Sequence, residues 1–422
     1  MDYLADIRRK KLKIYAVALL IILSLFVFAA CNNQAQVNAD GTVTEPDNPI
    51  AKFLDILNKS IGNFGWTVVV FTVILKTALL PLDFWQKNVM RKNAKAMERM
   101  KPKLEKLQKQ YGHNREEFSR RQLLLYKEEK YSMLGACLPT ILTMAIFILI
   151  FTGFNKMVNF QNANRYAELK TVYDAEVKPE YDAAYQAKLD EIGDTAYNAA
   201  KDAGATDEYA EGMRQEAIAA SDNIIIAQQA GRAAADKPEV VARGQAAVAA
   251  AYEPEGWLWI KNVFIADAWN ESIPKYETFS GTGMGKLGVQ GVVREDYEKV
   301  MGGLIGTSGW AKNGKWNGWL LLPLLSIALS FLTQKLTQGQ QPEMPVDPAN
   351  PAAGGAMNAN MKMMQYLMPV IFGVFAVLYS SAFTIYLFTS SLYSVLFQLV
   401  YNAVAKVLDK KEEERRLATT FK

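Results

Sequence analysis

The chain has 422 residues, half of them apolar, and a formal net charge of +4; it is long enough for two or three soluble domains. Its apolar residues fall in unbroken runs and not in amphipathic periods, which is the composition of a membrane protein. Two cysteines, Cys31 and Cys137, cannot build a disulfide framework, and there is no zinc spacing, GxxxxGK phosphate loop or GxGxxG fingerprint, so no metal, nucleotide or other cofactor is expected.

Residues 1–30 read as a signal peptide: basic Arg8-Arg9-Lys10-Lys11, an apolar run from Ile14 to Val27, then Ala29-Ala30 before Cys31. Small residues directly ahead of a cysteine resemble a bacterial lipoprotein signal, in which Cys31 becomes the lipidated first residue; an uncleaved anchor is the alternative. Residues 31–64 divide into a polar linker with Gly41, Pro46 and Pro49 and a helix over 51–64 suited to the outer membrane surface, with Phe53, Leu54, Ile56, Leu57 and Ile61 near one face.

The stretch 65–82 is apolar almost throughout and, at about 27 Å as a helix, just long enough to cross a bilayer. Lys76 interrupts it. An ammonium in hydrocarbon costs roughly 2.5–3.5 kcal/mol, so it either snorkels to the helix end or faces water or a partner, and the second case marks a functional site. Residues 83–133 are expected to be a cytoplasmic helical hairpin. Between 86 and 130 there are fourteen Lys or Arg against six Asp or Glu, and Tyr111-Gly112-His113-Asn114 is a turn signal. His113 reads as a solvated loop residue. Met90, Met97 and Met100 lie at helical spacing and are candidates for first contact with varied apolar chains; an ordinary solvated hairpin is the alternative.

A second span is expected at 134–153. Residues 154–315 then form an external insert with 17 basic and 24 acidic residues. From Ala163 to Tyr252 it favours helices, a hairpin broken at Gly204 and Lys237-Pro238. Its apolar positions are mostly Ala, too little for a large core, so 161–253 is expected to be removable. A third span follows at 316–337, with Trp310, Trp316 and Trp319 as an aromatic belt, then a cytoplasmic loop at 338–363, two spans within 364–402 and a charged cytoplasmic tail at 403–422.

The stretch Leu125 to Pro139 (LYKEEKYSMLGACLP), the charged residue at Lys76 followed by Pro81-Leu82, the element Trp257-Leu258-Trp259-Ile260-Lys261-Asn262 with Asp267, FLTQKLTQ from Phe331, Met368-Pro369 and Tyr386 together resemble the YidC-type membrane protein insertases, in their Gram-positive-like lipoprotein form. Lys76 keeps the charge of the Arg usual in that form but not its bidentate fork, and Ser380-Ser381-Ala382 departs from the Pro-Ser-Gly of many members. The resemblance implies an all-α integral membrane protein: a five-helix transmembrane core, a cytoplasmic hairpin and here a large external helical insert. It implies a groove open to cytoplasm and lipid in the bacterial plasma membrane, nascent membrane proteins and lipid as partners, and the Sec translocon and ribosome as further ones, with no direct reading of nucleic acid.

The residues themselves support a hydrated cavity. Beside Lys76 the spans carry Thr72, Thr77, Thr140, Thr143, Ser326, Ser330, Gln334, Thr389, Ser390 and Gln398. Polar side chains in a membrane face the bundle or water, although each hydroxyl can also bond to its own helix backbone. Two other uses of Lys76 stay open: general base for a Ser or Thr in an intramembrane hydrolase, and a transporter site. No GxSxG elbow is present, and no repeated half supports the usual transporter plan.

Overall fold

A computed structural model describes residues 34–129, 131, 133–269, 271–283, 285–305, 316–337, 369–370 and 372–420. The signal segment 1–30, Cys31, Trp310, the loop 338–363 and the start of the 364–402 segment lie outside these, as does the Thr140 side chain.

The all-α expectation omits one small feature. Strand β1 (Ala35–Gln36) pairs in parallel with β2 (Val289–Gln290), Ala35 opposite Val289, and ties the linker to the 154–315 segment. Helix α1 (Pro49–Ile61) begins where the Asn48 side chain accepts from the Ile50 and Ala51 N–H groups and Pro49 presets the first turn; it ends at Gly62. It buries Ala51 and Leu54 and leaves Phe53, Ile56 and Ile61 exposed, so the single apolar face expected over 51–64 is shared between core and surface.

Helix α2 (Phe64–Tyr111) is 48 residues long and does not stop at Leu82; Pro81 lies inside it. The boundary expected there is a change of composition along one continuous backbone. The chain turns at Gly112, and Asn114 caps α3 (Arg115–Glu128) by accepting from the Glu117 N–H at 3.2 Å. Helix α3 returns along α2, joined by Arg99–Glu129 at 3.0 Å and Lys103–Glu129 at 2.7 Å. Their apolar contact is Ala96, Met97, Met100, Leu104, Leu125 and Tyr131.

Helix α4 (Met133–Asp202) runs for 70 residues, about 105 Å at 1.5 Å per residue. The segment from 154 onward is therefore an outgrowth of the 134–153 helix, and no separate hairpin starts at Ala163. Helices α5 (Asp207–Ala219), α6 (Ser221–Ala235) and α7 (Pro238–Ala251) fold back along it. Close approach is built in: a Cβ on Gly231 would meet the Tyr181 ring at 2.8 Å. The expectation that 161–253 lacks a core is corrected. Tyr166, Leu169, Tyr173 and Val177 of α4, with Val240 and Val248 of α7, are buried in the same cluster as Phe64, Phe154 and Trp257. Alanine gives the closeness, and tyrosine and valine give the burial.

After α8 (Tyr276–Phe279) and α9 (Arg294–Met301) come α10 (Leu321–Thr337), α11 (372–378) and α12 (Ser381–Thr420). Helix α12 continues past residue 402 into the tail and packs on α10 and α2. Among the described residues, two helices are long and apolar enough to cross a membrane, Phe64–Tyr111 and Ser381–Lys410, while Leu321–Thr337 is a shorter apolar helix.

Candidate functional site

One loop organises the ends of the apolar helices. At α2 the Phe64 N–H donates to Glu255 Oε1 (2.8 Å) and Asn63 Nδ2 to the Gly256 carbonyl (3.0 Å). At α10 the buried Asp267 carboxylate accepts from the N–H groups of Trp319 (2.8 Å), Leu320 (3.2 Å) and Leu322 (2.9 Å). At α12 the N–H and hydroxyl of Ser381 both donate to the Ile265 carbonyl, at 2.8 and 2.6 Å. Asn317 closes the knot: its Oδ1 accepts from the Asn262 N–H, and its Nδ2 donates to the carbonyls of Asn262, Ile265 and Ala266. The loop residue Leu320 sits at a φ of 60°, a left-handed conformation that a branched side chain rarely holds unless neighbours impose it.

Further along the bundle, α2, α4, α10, α11 and α12 surround a cavity of about 320 Å³. Most of its wall is apolar, including Leu79, Phe147, Ile150 and Phe372; its polar residues are Lys76, Asp83, Ser326, Ser330, Tyr386, Ser390 and Ser391. Several hydroxyls are committed to their own helix. Ser326 donates to the Leu322 carbonyl (2.8 Å) and Ser330 to that of Ser326 (2.8 Å), while Ser330 and Ser391 lie 3.2 Å apart across α10 and α12. A second cavity, of about 410 Å³, lies between Asn155, Phe264, Lys275 and Ser380, beside the loop knot.

Of the polar residues expected to line a cavity, the structure brings Lys76, Ser326, Ser330 and Ser390 to the first one. Thr72 is buried and bonds back to the Val68 carbonyl at 2.7 Å, and Thr77 is exposed, 3.3 Å from the Tyr393 hydroxyl. Thr389 is buried off the cavity and Gln334 is half-buried one turn beyond Ser330. Gln398 donates to Asn402, which in turn donates to the Leu336 carbonyl, a link between α12 and the end of α10. In the hairpin Met90 is half-buried, whereas Met97 and Met100 are almost wholly buried between α2 and α3. For Met97 and Met100 the expectation of a contact surface is corrected, because they are the hairpin's own core, whereas Met90 lies outside that core. Asp83 escaped the sequence reading although its spacing of seven from Lys76 puts the two on one helical face.

The model of the family described as 60Kd inner membrane protein matches residues 56–182 and 247–410. The chain is similar to proteins named Membrane protein insertase YidC. The one from Azotobacter vinelandii is 34% identical over 115 residues, 27% of this chain and 20% of that protein. That from Haemophilus ducreyi is 36% identical over 115 residues (27% and 21%), and that from Buchnera aphidicola 34% over 103 residues (24% and 18%). The chain thus spans about one fifth of the length of the curated relatives it matches. The family match takes in the loop knot, the helices around the cavity and the hairpin, and its two blocks leave out 183–246 between them: the chain belongs to the 60Kd inner membrane protein family.

Proposed function

We propose that this chain is a membrane protein insertase, the activity in its relatives' name. The observation that carries the reading is a lysine and several hydroxyls gathered in one recess between apolar helices. In this reading 65–82, 134–153, 316–337 and two segments of 364–402 are the transmembrane core, the hairpin over 83–133 and the tail are cytoplasmic, and 154–315 is external. The recess lowers the cost of bringing a nascent chain's polar segment part-way into the membrane, and Lys76 attracts acidic residues in it. The substrate's apolar helix slides against lipid at the same time, and burial of about twenty apolar residues drives release without a nucleotide. No covalent bond is made or broken. The protein works alone or beside the Sec translocon, with the ribosome as a further partner. Lipidation at Cys31 belongs to the same proposal, and intact-mass spectrometry checks it: an unmodified Cys31 in a chain beginning at Met1 refutes it.

The test is insertion of a small single-span protein into liposomes holding the purified chain. Lys76→Arg should insert substrates with acidic external segments about as well as wild type, and Lys76→Ala roughly tenfold more slowly. Equal rates for Lys76→Ala and wild type on several acidic substrates would remove the electrostatic role. A second reading, an intramembrane hydrolase, draws on the sharing of one cavity by Lys76 and four serines. Labelling by a serine-directed inhibitor, absent from Lys76→Ala, would favour it over insertion.

A further inference from the structure

We infer that Asp83 is a specificity-determining residue of the cavity: it receives basic residues of a segment whose acidic residues go to Lys76. The inference rests on the insertase reading, and deepens it by naming the substrate class as polar segments that carry both signs of charge.

Among the described residues, Lys76 and Asp83 are the two charged side chains that line the cavity. They stand seven residues apart on α2, close to two full turns, which puts them on one face about 10 Å apart along the axis. The remaining polar groups of the wall are the neutral hydroxyls of Ser326, Ser330, Tyr386, Ser390 and Ser391, which either donate or accept and do not sort by sign. Discrimination by charge therefore falls on the two ionisable residues. Burial pushes the Asp83 carboxyl above its ordinary value, and the ammonium groups of Lys76 and Lys87 act against this. Lys87 lies one turn further on, outside the cavity wall, with its ammonium 3.5 Å from the Thr337 hydroxyl.

A cavity with Lys76 alone would draw in acidic segments and repel basic ones. Asp83 changes that rule along the axis of α2: positive toward Phe64, negative toward the hairpin. An extended segment climbs about 3.3 Å per residue, so the 10 Å offset fits an acidic residue entering about three positions ahead of a basic one. Such a segment satisfies both wall charges at once, whereas the reversed order places like charges together.

Two measurements test this. In the first, fluorescein-labelled Gly/Ser octapeptides with an Asp, with a Lys or with neither bind to the purified protein in nanodiscs. Asp83→Asn should weaken the Lys peptide about fivefold, tighten the Asp peptide by a similar factor and leave the neutral peptide alone, and Asp83→Glu should restore the wild-type pattern. In the second, single-span substrates carrying the same tails are inserted into liposomes, and the Lys-tail to Asp-tail ratio should fall in Asp83→Asn. An unchanged ratio in both measurements, or an equal shift of all three peptides, overturns the inference. Wild type that sorts the peptides by sign and yet inserts none of the substrates overturns the insertase reading and leaves the role of Asp83 as a charge selector standing.

Discussion

A carboxylate that accepts three backbone N–H groups in a fully buried site is a strong constraint at the scale of one residue. Asp267 does this for the start of α10. Removing it leaves several buried donors without an acceptor, and hydrogen bonds to a charged group are each worth about 1.5–3 kcal/mol. Asp267→Ala should therefore destabilise the detergent-solubilised protein by about 4 kcal/mol or more, and Asp267→Asn, which keeps one acceptor oxygen, by less. Thermal unfolding checks the order, and an Ala variant as stable as wild type would show that the knot is redundant. Residue-scale function was only partly legible in the sequence. Lys76 stood out because it is the one charge in a mostly apolar stretch of eighteen residues, whereas Asp83 was concealed by its place at the end of that run, where a charge is ordinary. Thr72 and Gln398 carry the right chemistry, but their side chains are turned to their own helix or to Asn402. Sequence spacing gives a face, and which face meets the cavity is decided by packing partners far away in the chain.

The hairpin shows what an element gains from charge. Hydrogen bonds from Lys103, then Arg99, hold the Glu129 carboxyl below its ordinary value. A carboxyl lowered in this way adds stability above the pKa of the unfolded chain and loses it as pH falls through the folded value. Spin labels on the outer faces of α2 and α3 should keep a constant separation from neutral pH down to the ordinary glutamate value of about 4.3 and spread only below it, as pH falls through the lowered folded value. Glu129→Gln should show the spread at neutral pH. The effect will be modest, because the ion pairs are partly exposed; identical distance distributions in both proteins at both pH values would assign the hairpin's cohesion wholly to Met97, Met100, Leu104 and Leu125. The turn at Tyr111 to Asn114 was visible from Gly112 and the capping Asn114. The burial of the methionines was not, since a 3–4 spacing marks an inner face and an accessible stripe equally well.

At the scale of the whole molecule, the partition of the 154–315 segment changes. Cutting at 161 and 253 removes Tyr166, Tyr173, Val177, Val240 and Val248 from the common core, at roughly 1.5–3 kcal/mol for each large side chain. It also removes the stacking of Tyr166 on Tyr297. That deletion should unfold the protein. Removing 183–230 should not: α6 passes Tyr181 closely at Gly231, so a short Gly/Ser linker bridges the ends. Thermal stability and liposome insertion near wild type for the smaller deletion, beside loss of folded protein for the larger, are the expected pair; the reverse order would place the core elsewhere. The sequence showed the helical character and the breaks at Gly204 and Pro238. It hid the continuity of α4, because the composition changes from membrane-like to alanine-rich near residue 154, beside Gly153, and looks like a boundary although the helix runs through it.

The loop knot has one more consequence. Asn262, Asp267, Asn317 and Ser381 pin neighbouring helix ends through buried hydrogen bonds. At the opposite end α2 and α12 are joined by ion pairs of the buried Arg91 and the partly exposed Lys95 with the more exposed Asp409. A bundle fastened this way behaves like a pair of tweezers, rigid at the joint and free at the tips. On the proposed insertase reading, widening confined to the tip side while the joint stays shut would take in a helix-sized passenger without opening a path for protons.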